Sequence, residues 1–201
     1  MHRLTSAFIL GYHGCDEAVG EKALANQEHL RPSGNEYDWL GTGIYFWENS
    51  ARRALEWAKF AKANPKFTRA KITNPFVVGA IIDLGNCLDL LEAESIRAVK
   101  RGYSEFKDTY DVLGIPMPRN KKIGNEVRIR ALDCAVINYV NLMREQEGEP
   151  AFDSVRAAFI EGFPLYENAG FHEETHIQIC IRKPEQIVGY FRPVVLSTLN
   201  Y

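Results

Sequence analysis

"THIQICIR" (residues 175–182) alternates isoleucine with polar or small side chains. A strand turns successive side chains to opposite faces, so Ile177, Ile179 and Ile181 share one face. His176, Gln178, Cys180 and Arg182 take the other. The first face reads as core. The second presents a histidine and an amide next to a loop. Working outward, "FDSVRAAFIEG" (152–162) reads as the preceding strand and "FPLYENAGFHE" (163–173) as the loop between them. "PEQ" is a turn, and "IVGYFRPVVL" (187–196) returns as a last strand.

The other end of the chain mirrors this. "AFILGYHG" (7–14) reads as a short buried strand closing on glycine, and "IYF" (44–46) as a brief strand-like turn. "FVVGAIIDL" (76–84) is a core strand. Helical periodicity fills the intervals: 16–27, opening near Asp16; 49–61, with Asn49 and Ser50 as capping candidates; 92–110; and 126–146. In the last, Leu132, Val136, Tyr139, Val140 and Met143 share a face. Residues 115–125 break the pattern. Residues 29–43 are dense in Pro, Gly, Asn and Ser and form a long loop. Strands at both ends with helices between them predict an α+β fold, its sheet assembled from distant segments.

Composition bounds the function. The chain has 201 residues, a net charge of −2 and 46% apolar residues, which suits one globular domain. No global basic field advertises nucleic acid, although a local patch is compatible with this charge. No run approaches the length of a membrane span, and the N-terminus lacks the pattern of a signal peptide. Cys15, Cys87, Cys134 and Cys180 are scattered without a CxxC pair, which predicts free thiols in a reducing cytoplasm and no metal site.

Two glycine-flanked runs remain, "GYHGC" (11–15) and "GTGIYFWE" (41–48). Singly, His13 reads as a turn histidine and Tyr45 as core. Together, His13-Gly14-Cys15 after an early strand, Gly41-Thr42-Gly43-Ile44-Tyr45-Phe46 leading into a helix, and a late strand at 175–182 resemble the ADP-ribosyltransferase superfamily. The resemblance is to the branch of diphtheria toxin and the poly-ADP-ribose polymerases. It spans nearly the whole chain in order, with no motif match over 62–125.

The resemblance implies a single catalytic domain over residues 1–201, built as a split β-sandwich of two small, mainly antiparallel sheets flanked by helices. It implies NAD as co-substrate in a cleft between the sheets. Gly14 would pair with the nicotinamide carboxamide through its backbone, and His13 would bond a ribose hydroxyl. Tyr45 would stack on the nicotinamide ring, with Gly43 beside it and Trp57 completing a sandwich. Arg31 and Ser33 would meet a phosphate or ribose on the adenosine side. The family's third residue is usually Glu; here Gln178 occupies the matching place inside the strand, with Glu161, Glu173 and Glu174 as alternatives. An amide can orient a ribose hydroxyl but not act as a general base, so the departure speaks against polymer elongation. His176 sits where the family meets its acceptor, and the loop 162–175, with Phe163, Tyr166, Asn168 and Phe171, would face it.

The function implied is mono-ADP-ribosyl transfer to a protein or nucleic-acid acceptor. A small stand-alone member suggests a bacterial toxin or defence effector, cytoplasmic and held in check by an inhibitory partner (an antitoxin), with no membrane role. The alternatives are NAD glycohydrolysis, removal of an RNA 2′-phosphate with Arg128 and Arg130 near the phosphates, and a catalytically dead module that binds NAD or ADP-ribose.

Overall fold

A computed structural model describes residues 8–66, 68–123 and 126–194, with the backbone alone at 123 and 126–128. Nine strands and four helices follow one another in the described residues: β1 (Ile9–Asp16), α1 (Glu17–Leu24), β2 (Ile44–Glu48), α2 (Ala51–Ala63), β3 (Pro75–Ile82), β4 (Cys87–Asp89), α3 (Ala93–Leu113), β5 (Asn120–Ile123), β6 (Glu126–Arg130), α4 (Ala131–Gln146), β7 (Ser154–Phe159), β8 (His176–Ile181) and β9 (Ile187–Phe191). The fold is α+β. Among these helices none is long and apolar enough to cross a membrane.

Seven strands form one sheet in the order β4-β7-β8-β2-β1-β3-β9, and β5 and β6 form a separate hairpin. Only β4 and β7 run parallel; the other neighbours in the sheet are antiparallel. The sheet has a narrow waist. β1 meets β2 through just Gly11↔Glu48 and Tyr12↔Trp47, whereas β1 pairs β3 from Ile9↔Ile82 to Asp16↔Pro75. Where the family resemblance implies two separate small sheets, there is one mixed sheet with two halves on either side of the waist. Their inner faces share a core in which Ile44, Phe46, Ile179 and Ile181 from one half meet Ala80, Ile82 and Ile187 from the other.

Helix α1 lies on this inner face, with Ala23 in the shared core and Gly20 against Phe76 and Val78, and the other three helices cover the outer face. Helix α2 buries Ala54, Ala58 and Ala61, a stripe of small residues at spacings of four and three. That stripe lets it lie close on β1, where a Cβ added at Gly14 would stand 2.2 Å from the Ala54 carbonyl oxygen. Helices α3 and α4 cover the other half, packing Phe106, Val136 and Val140 on Val155, Ala157 and Phe159.

Four sequence expectations change in detail. Residues 126–130 are strand β6 rather than the first turn of a helix. α4 begins at Ala131 because the Asn120 side-chain oxygen, from β5, accepts the Leu132 N–H at 2.9 Å and the Asp133 N–H at 3.3 Å. Strand β4 was not expected at all; its three residues are too few to show a period. The strand-like turn at 44–46 is a full strand running on to Glu48. In the last expected strand β9 ends at Phe191; residues 195–196, like residue 7 of the first, lie outside the described residues.

Candidate functional site

The waist is where the sequence-predicted residues gather. Past Tyr12, β1 leaves β2, and the next side chain on β1 is His13. Its Nδ1–H donates to the Tyr45 carbonyl at 2.7 Å, so the side chain spans the gap where a ladder bond would have continued. A carbonyl only accepts, which places the proton on Nδ1 and leaves Nε2 with a bare lone pair. Desolvation holds the His13 pKa below its ordinary value despite this bond, so the ring is neutral at pH 7.

Tyr45 is a structural anchor. Its hydroxyl receives the Leu40 N–H at 2.9 Å and donates to the Gly41 carbonyl at 2.7 Å, closing the turn that holds Gly41 at φ +79°. Burial pushes the phenol far up, so it stays protonated. Register places Tyr45 opposite Cys180 and Trp47 opposite Gln178, so Tyr45, Trp47 and Gln178 share one sheet face. His13 points to the other face, beside the Phe46 ring at 5.7 Å. The three expected site residues therefore meet at the waist from two sides and do not line one common wall.

Gln178 is fixed by its neighbour. His176, 8% exposed, donates Nδ1–H to the Glu174 carbonyl at 2.6 Å. Its Nε2 must then accept, and the Gln178 amide nitrogen lies 2.9 Å away. The amide NH2 faces His176, which leaves the carbonyl oxygen as the free acceptor end. Burial lowers the His176 pKa and keeps it neutral. Expected where the family meets its acceptor, His176 is buried and orients Gln178, flanked by the rings of Phe159 and Trp47 at 5.7 and 6.4 Å. The three alternative carboxylates are placed differently. Glu174 pairs with Arg53 at 3.2 Å, Glu161 stands 3.8 Å from His176 Nδ1, and Glu173 is exposed on the loop.

The remaining candidates take structural duties. Gly14 was expected to meet the nicotinamide through its backbone and Gly43 to lie beside Tyr45; at both, protein fills the space a side chain would take. The missing Cβ of Gly14 faces the Ala54 carbonyl and Trp57, and that of Gly43 faces Cys180 Sγ at 2.5 Å and the Ile181 carbonyl at 2.6 Å. Ser33 bridges Gly43 through paired backbone bonds of 2.8 and 3.1 Å, while its hydroxyl accepts from Asn35. Arg31 is exposed beside Glu28 at 3.7 Å. Trp57 has Trp47 as its ring neighbour at 5.9 Å. Arg130 lies 4.0 Å over the Trp39 ring, at a groove of about 730 Å3 between β7, α3 and α4, and the Arg128 side chain lies outside the described residues. In the loop 162–175, Phe163, Tyr166 and Phe171 are exposed.

Two residues that sequence reading passed over join the site. Trp47 Nε1 and Arg53 Nε are buried donors without a partner among the described residues. Trp47 shares its face with Gln178, and Arg53 reaches the same corner through Glu174. A buried donor left unpaired costs about 1–3 kcal/mol, so two of them beside one free amide oxygen fit a ligand rich in acceptor oxygens and hydroxyls. The signal in the sequence was the alternation Tyr45-x-Trp47, which puts the indole on Tyr45's face.

Among known proteins, an uncharacterized protein of Methanocaldococcus jannaschii is 27% identical over 193 residues, covering 88% of this chain and 83% of the relative. No protein-family profile and no solved structure matches the chain.

Proposed function

We propose that the chain is an NAD-dependent mono-ADP-ribosyltransferase acting at the waist between β1 and β2. The observation that carries this reading is the parting of β1 from β2 at His13, with the neutral ring spanning the gap and Nε2 left as an acceptor. A ribose hydroxyl is the complement of that lone pair. Gln178 offers the second acceptor, its oxygen turned outward by His176.

The chemistry follows from these groups. The bond between nicotinamide nitrogen and ribose C1′ breaks, and nicotinamide leaves with its electron pair. The ribose develops oxocarbenium character, which nearby acceptor dipoles stabilise. A heteroatom of the acceptor forms the new bond to C1′ and releases its proton to solvent. Gln178 orients the 2′-hydroxyl but carries no charge, so this step is slower than with a carboxylate. The same neutrality favours a second reading, NAD binding without turnover.

Incubation of the purified chain with NAD, with and without cell lysate, separates the outcomes. Transfer gives nicotinamide release that depends on lysate and moves label to an acceptor. Release without lysate points to hydrolysis. A rise in melting temperature with NAD but no release marks a binding module. No release and no thermal shift overturns the reading.

A further inference from the structure

No acidic residue occurs between Glu56 and Asp83. That interval carries Lys59, Lys62, Lys66, Arg69 and Lys71, all exposed, and none has an ion-pair partner among the described residues. Most other exposed cations are neutralised: Arg52 by Glu56, Lys107 by Asp111 and Arg192 by Glu21. In a chain of net charge −2, this segment is a concentrated positive band. Phe60, 43% exposed, stands among the cations. Beneath them a cleft of about 520 Å3 is lined by Lys62, Pro65, Thr68, Arg69 and Lys71.

The band is fixed at both ends to β1, the strand that carries His13. It begins on the outer side of α2, whose inner side lies over Gly14. It ends where the Asp16 carboxylate accepts the Thr73 and Asn74 N–H groups at 2.7 and 3.0 Å. Asp16 is three residues along β1 from His13, so the C-terminal end of the segment is anchored to the strand that carries His13.

We propose that the Lys59–Lys71 segment docks a single-stranded nucleic acid, and, resting on the transferase reading above, that this strand is the acceptor. Five unpaired cations along one segment match the spaced phosphates of a polynucleotide, and an exposed phenyl ring among them supplies a face on which an unpaired base stacks. An acidic protein would use the same charges but not the ring.

The test is fluorescence anisotropy with labelled 20-nucleotide DNA and RNA strands and the matching duplex, over a salt series. Single strands should bind with a logarithmic salt slope of about −3.5, near −0.7 for each of five phosphate contacts. The triple variant Lys62→Gln, Lys66→Gln, Arg69→Gln should flatten the slope by about 2 and weaken binding at least about tenfold. A Lys100→Gln, Arg101→Gln control on α3 should bind as the parent does. Phe60→Ala should weaken single-strand binding and leave the salt slope unchanged. Absence of salt-dependent binding, preference for the duplex, or a triple variant that binds normally overturns the docking site. In a second arm with labelled NAD, label should pass to the oligonucleotide and be lost in the triple variant, while the NAD-induced thermal shift is retained. Label passing to protein while an oligonucleotide is present overturns the acceptor assignment. Oligonucleotide binding with no NAD turnover leaves the docking site standing and removes the transferase reading instead.

Discussion

At the scale of single residues, the outcome turns on which atoms of a side chain are already committed. Gln178 gives its amide NH2 to His176, so its oxygen remains to receive a hydroxyl. Gln178→Glu would place a carboxylate against His176 Nε2, which would then protonate and pair with it. The added negative charge should also stabilise the oxocarbenium-like ribose and raise nicotinamide release about tenfold or more, measured by single-turnover kinetics. An unchanged rate would remove Gln178 from the third position. Tyr45 differs, because its hydroxyl is spent on Leu40 and Gly41. Tyr45→Phe keeps the ring but strands the Leu40 N–H, and should cost about 1–3 kcal/mol in urea denaturation. His13 and Tyr45 were legible as a pair in the sequence. Trp47 was not, because an indole in an apolar strand looks like core until its nitrogen is found without a partner.

Among the elements, α2 and β1 depend on one another. The alanine stripe brings the α2 backbone down onto β1, and the absent side chain at Gly14 admits it. A methyl group at Gly14 would meet a backbone carbonyl, which cannot swing aside like a flexible side chain. Gly14→Ala should therefore destabilise the fold by about 1–3 kcal/mol, read as a lower urea midpoint at unchanged slope. A neutral result would show that α2 shifts freely. The helices' existence was readable from periodicity, as was the alternation of β8. The boundary of α4 was not, since an Asn120 side chain from a distant hairpin decides it. Three-residue β4 escaped for a similar reason: it is a strand only because β7 lies beside it.

For the whole molecule, charge and pH act through groups that span elements. Arg156 on β7 holds Glu48 of β2 at 2.6 and 2.9 Å and Asp89 of β4 at 2.9 Å, all largely shielded. Arg156→Met would leave two carboxylates facing each other and should cost about 3 kcal/mol, with partial recovery when Glu48→Gln is added. His13 and His176 both have pKa values lowered by burial. In the unfolded chain they titrate near about 6.5. Below that pH the unfolded chain takes up protons that the native state refuses, so their contribution is complete above it. It declines as pH falls from there through the lowered native values. Urea denaturation between pH 7.5 and 5 should show this loss, at most about 1.4 kcal/mol per pH unit for each histidine. His176→Gln should reduce the slope; an unaltered slope would place the titration elsewhere.

The sequence by itself determined the α+β class and most of the strands and helices, because period and turn composition are local properties of the chain, while the link between His13 and the Gly-Ile-Tyr-Phe run came from the family resemblance. Only the tertiary structure decided that the sheet narrows between β1 and β2, that His13 and Gln178 approach from opposite faces, and that Gly14 and Gly43 make room for protein. Register and face depend on which strands become neighbours. That choice is made by burial over the whole molecule, where a shift of one residue turns every side chain to the other side.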